Sequence, residues 1–133
     1  MAIDCKSLMI GDWVYFKTNK VYAKITEIYL TLDVEHKYMV SLNSCGNRYC
    51  VSINEIEPIP LTPEILEANG WMYVDEDRMF YGEKLEGELP WISYAAHGDN
   101  MVFRLRDFCH LQYVHELQHC LKICGINKEI IIK

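Results

Sequence analysis

From Trp13 to Ile59 the apolar residues come in short runs with a period of two. Val21, Ala23 and Ile25 alternate with Tyr22, Lys24 and Thr26, and Tyr38, Val40 and Leu42 repeat the pattern. Such alternation puts one set of side chains on each face of a pleated strand. Trp13-Val14-Tyr15-Phe16 is dense in β-favouring types, and Tyr49-Cys50-Val51 and Ile56 to Ile59 add shorter runs. Turn chemistry separates them at Thr18-Asn19-Lys20 and at Asn43-Ser44-Cys45-Gly46-Asn47. Pro58 and Pro60 then interrupt the pattern. Thr62-Pro63-Glu64 predicts a helix start: a hydroxyl cap, a proline where no N–H is needed, and an acid at the positive end of the dipole. Gly70 ends that helix.

The second half returns to strands. Trp71-Met72-Tyr73-Val74 and Met79-Phe80-Tyr81 flank the acidic turn Asp75-Glu76-Asp77. Trp91-Ile92-Ser93-Tyr94 and Met101-Val102-Phe103-Arg104-Leu105 flank His97-Gly98-Asp99-Asn100, with a polar loop from Glu83 to Pro90 before them. Asp107 can cap a helix from Phe108 to Cys124 with Gly125 as its stop, and Ile126 to Ile132 reads as a last strand. The pattern predicts an α+β chain. Its strand-rich start resembles an SH3-like small β-barrel, because Leu8-Met9-Ile10-Gly11-Asp12-Trp13-Val14 matches the L-x-x-G-D-x-V opening of such barrels. The expected organisation is an N-terminal SH3-like barrel over 1–60. A short helix and an antiparallel sheet packed against a C-terminal helix follow over 61–133. The two parts are either separate domains or one compact unit.

Composition narrows the partners. Lys and Arg number 6 against 7 Asp and Glu in residues 1–60, and 7 against 12 in residues 61–133, so most of the net charge of −6 lies in the second half. A nucleic-acid binder advertises a basic face; only Lys17, Lys20 and Lys24 hint at one here. No run of about 18 apolar residues could cross a membrane, and Met1-Ala2-Ile3-Asp4-Cys5-Lys6 has no apolar signal core. The expected setting is cytoplasmic. The six cysteines include no C-x-x-C pair, so they read as free thiols.

One motif carries chemistry. His115-Glu116-Leu117-Gln118-His119 spells HExxH, which on a helix places two imidazoles one turn apart to hold zinc and a glutamate to activate water. Two observations weigh against it. At about 100° per residue, Val114, Leu117, Leu121 and Cys124 gather on one side, while His115 and His119 fall on the polar side with Gln112 and Lys122. A third ligand is also missing downstream. Of the 14 residues after His119 only Glu129 is acidic, and Lys122 and Gly125 stand where the extended pattern wants a glycine and a histidine. Chance alone yields HExxH in about one to two per cent of chains of this composition. The motif therefore reads as a solvated helix face.

Three stretches carry a further resemblance: Leu8 to Val14, Ile53 to Gly70 (the EPIPLTPEILEANG segment above all), and Tyr113 to His119. They resemble small uncharacterised proteins of Bacteroides-type gut bacteria and of their phages and mobile elements. In that group the position of His119 is often another residue, which implies that His115 and Leu117-Gln118 are structural. The resemblance implies a bacterial or phage-encoded setting and no activity.

Other candidates are weaker. Asp75, Glu76 and Asp77, and Glu83, Glu86 and Glu88, are acidic runs without the ligand order of a calcium loop or a partner for acid–base work. No phosphate loop or G-x-S-x-G is present. The aromatics of the first half are more informative. Alternation sends some of Trp13, Tyr15, Tyr22, Tyr29 and Tyr38 outward, where an SH3-like barrel docks extended peptides. The sequence thus reads as a non-enzymatic binding or adaptor module with no cofactor. Trp13, Tyr15, Tyr22 and Tyr38 are its candidate binding residues, and its partner is protein rather than nucleic acid or membrane. The first alternative is a zinc-dependent hydrolase with His115 and His119 as metal ligands and Glu116 as base. The second is a nucleic-acid-binding module using the barrel's lysines. The sequence carries no signal for oligomeric state.

Overall fold

The computed structural model describes residues 8–30, 38–74, 79–82, 92–97, 100–105, 109–126 and 128–132. The chain is mixed α+β, with two antiparallel sheets and two helices among the described residues. It forms two compact units, Met1–Ile59 and Pro60–Ile132.

The first unit holds β1 (Trp13–Phe16), β2 (Val21–Leu30), β3 (Tyr38–Ser44), β4 (Asn47–Ser52) and β5 (Ile56–Pro58). Their order in the sheet is β4-β3-β2-β1-β5. The period-two pattern survives as register. Val14 pairs with Ala23, and Ile25 pairs with Leu42, which faces Tyr49 on β4. These inward residues, with Phe16, Val40, Val51, Ile56 and Leu8, form the core. The register shifts between Ile25 and Glu27. The extra residue, Thr26, turns its hydroxyl onto the Ser41 carbonyl. A bulge of this kind bends and twists a strand.

The Gly11-Asp12 opening is a turn fastened to β2. Gly11 N donates to Ile25 O (2.7 Å), and Ile25 N donates to Asp12 O (2.9 Å). The Asp12 carboxylate, fully buried, accepts from Met9 N at 2.8 Å. Gly11 has φ +97°, which explains the glycine. At the other end Ser52 caps a 3-10 turn, Ile53–Glu55, and Glu55 reaches back to Ser52 N at 2.9 Å. The expected barrel is corrected in one respect: the sheet is not closed. Among the described residues β4 and β5 are its two edges. β5 also ends in Pro58, which has no N–H to extend a ladder.

β3 and β4 join through Cys45-Gly46, both with positive φ (51° and 89°). That is the backbone of a type I′ hairpin turn, which favours Asn-Gly. A cysteine has no local hydrogen bond to offset the left-handed conformation. Cys45→Asn is therefore expected to stabilise the protein by about 0.5–1 kcal/mol, read as a higher urea midpoint at unchanged slope.

The second unit begins with α1 (Pro63–Ala68), capped by Thr62 Oγ1 accepting from Ile65 N at 3.3 Å and followed by Gly70 at φ +100°. Then come β6 (Trp71–Val74), β7 (Met79–Gly82), β8 (Ile92–His97), β9 (Asn100–Leu105) and β10 (Cys109–Leu111), and α2 (Val114–Ile123). The sheet order is β10-β9-β8-β7-β6, each strand antiparallel to its neighbours. Tyr73, Phe80, Tyr94 and Phe103 meet across four strands, with ring centroids 4.9 to 6.1 Å apart. Ile92, Leu105 and Trp71 are buried in the same unit. α1 lies against β6, and α2 against β10.

Two expected elements change. The C-terminal helix starts at Val114, not Phe108, because Cys109–Leu111 instead pairs with Phe103–Leu105 as a strand. Ile126 to Ile132 is not a strand at its described residues. Ile130 and Ile132 are buried and Ile131 is exposed, so the alternation that suggested a strand is real. At Ile131, however, the partner is a side chain. Asn69, 5 % exposed, accepts from Ile131 N at 2.7 Å and donates to Ile131 O at 3.0 Å and to Ile65 O at 2.9 Å. Among the described residues no helix is long and apolar enough to cross a membrane.

Candidate functional site

The HExxH residues lie on the first two turns of α2, and two of the three are not placed as the sequence suggested. His115 is 4 % exposed, so it is not on a solvated face. Its ring stacks on Tyr113 (5.8 Å, 8° between planes) and meets His119 edge-on at 5.6 Å. Counting residues around an isolated helix misplaced it: the ring is buried, beside Tyr113 immediately before the helix and His119 one turn on. His119 is half-buried.

Glu116 is engaged elsewhere. Its Oε1 accepts from Tyr113 N at 2.8 Å and from Gln112 N at 2.9 Å. It sits three residues past the N-cap and turns back on it, the glutamate half of a capping box. Tyr113 offers no cap of its own, so the helix start rests on this carboxylate. A general base in a zinc hydrolase must instead face the metal-bound water. The described residues contain no group of three or more His, Cys, Asp or Glu placed to hold a metal ion. The runs Asp75 to Asp77 and Glu83 to Glu88, with Asp99 and the turn at 98–99, lie outside the described residues.

No protein-family model, curated protein or solved structure matches the chain. The geometry of its surfaces is the remaining guide.

The outer face of the first unit's sheet brings three of the four candidate aromatics together. Trp13 and Tyr15 alternate with buried Val14 and Phe16 on β1, and Tyr22 and Lys24 alternate with buried Ala23 and Ile25 on β2. The register places Tyr15 opposite Tyr22 and Trp13 opposite Lys24. The tyrosine rings are 5.6 Å apart, and the Lys24 ammonium sits 5.2 Å from the centre of the Trp13 ring. Trp13 and Tyr15 are half-buried and Tyr22 is 42 % exposed. Lys17, in the following turn, is 3.8 Å from Glu57 on β5.

Tyr38 is not part of this group. It shares the parity of Val40 and Leu42, the core side of β3, and is exposed because it lies at the strand's end opposite Leu30. A second polar cluster went unforeseen. Past the bulge, Tyr29 faces outward and its hydroxyl meets Cys50 Sγ, reaching across β3. That hydrogen bond, followed by slight burial and the charges of Cys50 and Glu27, holds the Tyr29 phenol above its ordinary range. Neither residue could be paired by sequence, because the bulge decides which face Tyr29 occupies.

Proposed function

We propose that this chain is a non-enzymatic binding module whose first unit docks an extended segment of a protein partner on the face built from Trp13, Tyr15 and Tyr22. One observation carries the reading: three large rings share the outer side of two paired strands, with only Lys24 interleaved. Aromatics placed so give contact area at low cost in side-chain order, and a cation–π pair of this kind contributes an attraction of about 0.5–1 kcal/mol that holds the Trp13 ring. The first unit is also best read as an SH3-like barrel left open between β4 and β5. Four features support this: the meander β1 to β4, the bulged β2, the 3-10 turn, and the return of β5 onto β1. Protein is favoured over nucleic acid because Lys24 and Lys17 are already engaged, which leaves Arg48 on β4 as the further cation that the register puts on this face. Lys24 lies over Trp13 and Lys17 lies beside Glu57. The engagement of Glu116 as a helix cap argues against the hydrolase.

The test is selection of peptides from a random displayed library on the full chain. Selected peptides are expected to bind Tyr15→Ala/Tyr22→Ala at least about tenfold more weakly, roughly 1.4 kcal/mol, and to bind Tyr38→Ala unchanged. The double variant's own stability should shift by less than about 1 kcal/mol, as for surface positions. A library that yields no binder, or binders indifferent to the double substitution, rejects the proposal. Tight, steeply salt-dependent binding of DNA or RNA would put the nucleic-acid reading in its place.

A further inference from the structure

The stretch Lys128–Ile132 is not a strand, and at Ile131 a side chain pairs its backbone. Two alternate side chains, Ile130 and Ile132, are buried, while Ile131 between them is 52 % exposed. The backbone of Ile131 is paired on both its N–H and its C=O by the side-chain amide of Asn69, at 2.7 and 3.0 Å. An asparagine amide has the same donor and acceptor as a peptide unit, so Asn69 acts as one rung of a β-ladder. Its orientation is fixed, because the other Nδ2 proton goes to Ile65 O at 2.9 Å. A flipped amide would set an NH2 group against the Ile131 N–H.

This arrangement reads backbone and not sequence at its centre, and takes one aliphatic side chain on either side. We infer that the end of α1, with Asn69 at its centre, is a binding site for an extended peptide carrying aliphatic side chains two residues apart. In this structure the chain's own Ile130-Ile131-Ile132 occupies that site. The tether is short: Gly125, at φ +73°, ends α2, and Ile126 N still donates to Leu121 O at 2.8 Å. The self-segment is therefore present at high effective concentration and competes with any peptide in trans. The inference concerns the second unit and stands independently of the aromatic face of the first.

The probe is a fluorescent synthetic peptide copying residues 127–133, and the target is the full chain. Ile130→Ala/Ile132→Ala weakens the occupant without altering Asn69. The peptide is expected to bind this variant at least about tenfold more tightly than it binds the wild type, whose site is filled. The same peptide N-methylated at the position of Ile131 lacks the N–H that Asn69 accepts, and is expected to lose at least about tenfold. Equal binding to both chains, or indifference to N-methylation, overturns the inference. Should the double variant melt below the working temperature, Ile132→Ala takes its place. In that case the peptide, and not its N-methylated form, must also raise the melting temperature of the double variant. Absence of both effects overturns the inference too.

Discussion

Asn69→Ala is expected to destabilise the protein by about 3 kcal/mol, three hydrogen bonds at roughly 1 kcal/mol net each. The residue is small and polar, yet the loss should rival that of a large core side chain. Its amide makes all three of its bonds to backbone: Ile65 O, Ile131 O and Ile131 N. Alanine strands each of those groups in a place where Asn69 itself is buried, and water cannot fully replace it. Asn69→Asp should be no milder. It keeps the acceptor for Ile131 N but loses both donors, and it turns a carboxylate toward the carbonyls of Ile65 and Ile131. Urea denaturation reads the effect as a lowered midpoint, and the Ile131 amide should exchange faster with solvent. A change below about 1 kcal/mol for both variants would mean that the tail is held by Ile130 and Ile132 alone.

Glu116 separates two readings of α2 by stability and not only by activity. Glu116→Ala is expected to cost about 1.5 kcal/mol, because two backbone N–H groups at the helix start lose a charged acceptor. The residue is half-exposed, so the figure sits at the low end for bonds to charge. Glu116→Gln keeps an acceptor oxygen and should cost less than about 0.7 kcal/mol, the difference being the lost charge at the positive end of the helix. A base in a zinc hydrolase would instead let both substitutions remove turnover while leaving stability nearly untouched, so the cost of the alanine variant decides. Thermal melts of the two variants, with metal content of the wild type measured alongside, distinguish a cap from a base.

The strands were legible in the sequence because each has a one-sided environment. Val14 and Phe16, then Ala23 and Ile25, then Val40 and Leu42, alternate and face one core. The first helix was legible because Thr62, Pro63 and Gly70 each do a local job that needs no neighbour. What was hidden depended on residues distant in the chain. His115 looks polar on a helical wheel, yet it is buried beside Tyr113. Phe108 to Leu111 looks helical, yet Phe103–Leu105 offers Cys109–Leu111 a ladder that replaces the first helical turn. Asn69 resembles a helix terminator and nothing more, since its partner Ile131 is 62 residues away. Of the candidate binding residues, Trp13, Tyr15 and Tyr22 were readable from parity, and Tyr38 was exposed only because its strand outruns the core.

The two-residue turn at Cys45-Gly46 also sets a timetable. It closes six register pairs, from Ser44 with Asn47 out to Met39 with Ser52, entirely between near neighbours in the chain. The pairing of β5 with β1 joins residues as far apart as Val14 and Pro58. Chain entropy makes the near contact cheaper to form, and each doubling of the loop adds about 0.6 kcal/mol to closure. The β3–β4 hairpin is thus the natural nucleus of the first unit, and the arrival of Pro58 beside Val14 its late step. The same order runs in reverse under stress: the β5 edge, short and ending in proline, is where the unit should first come open.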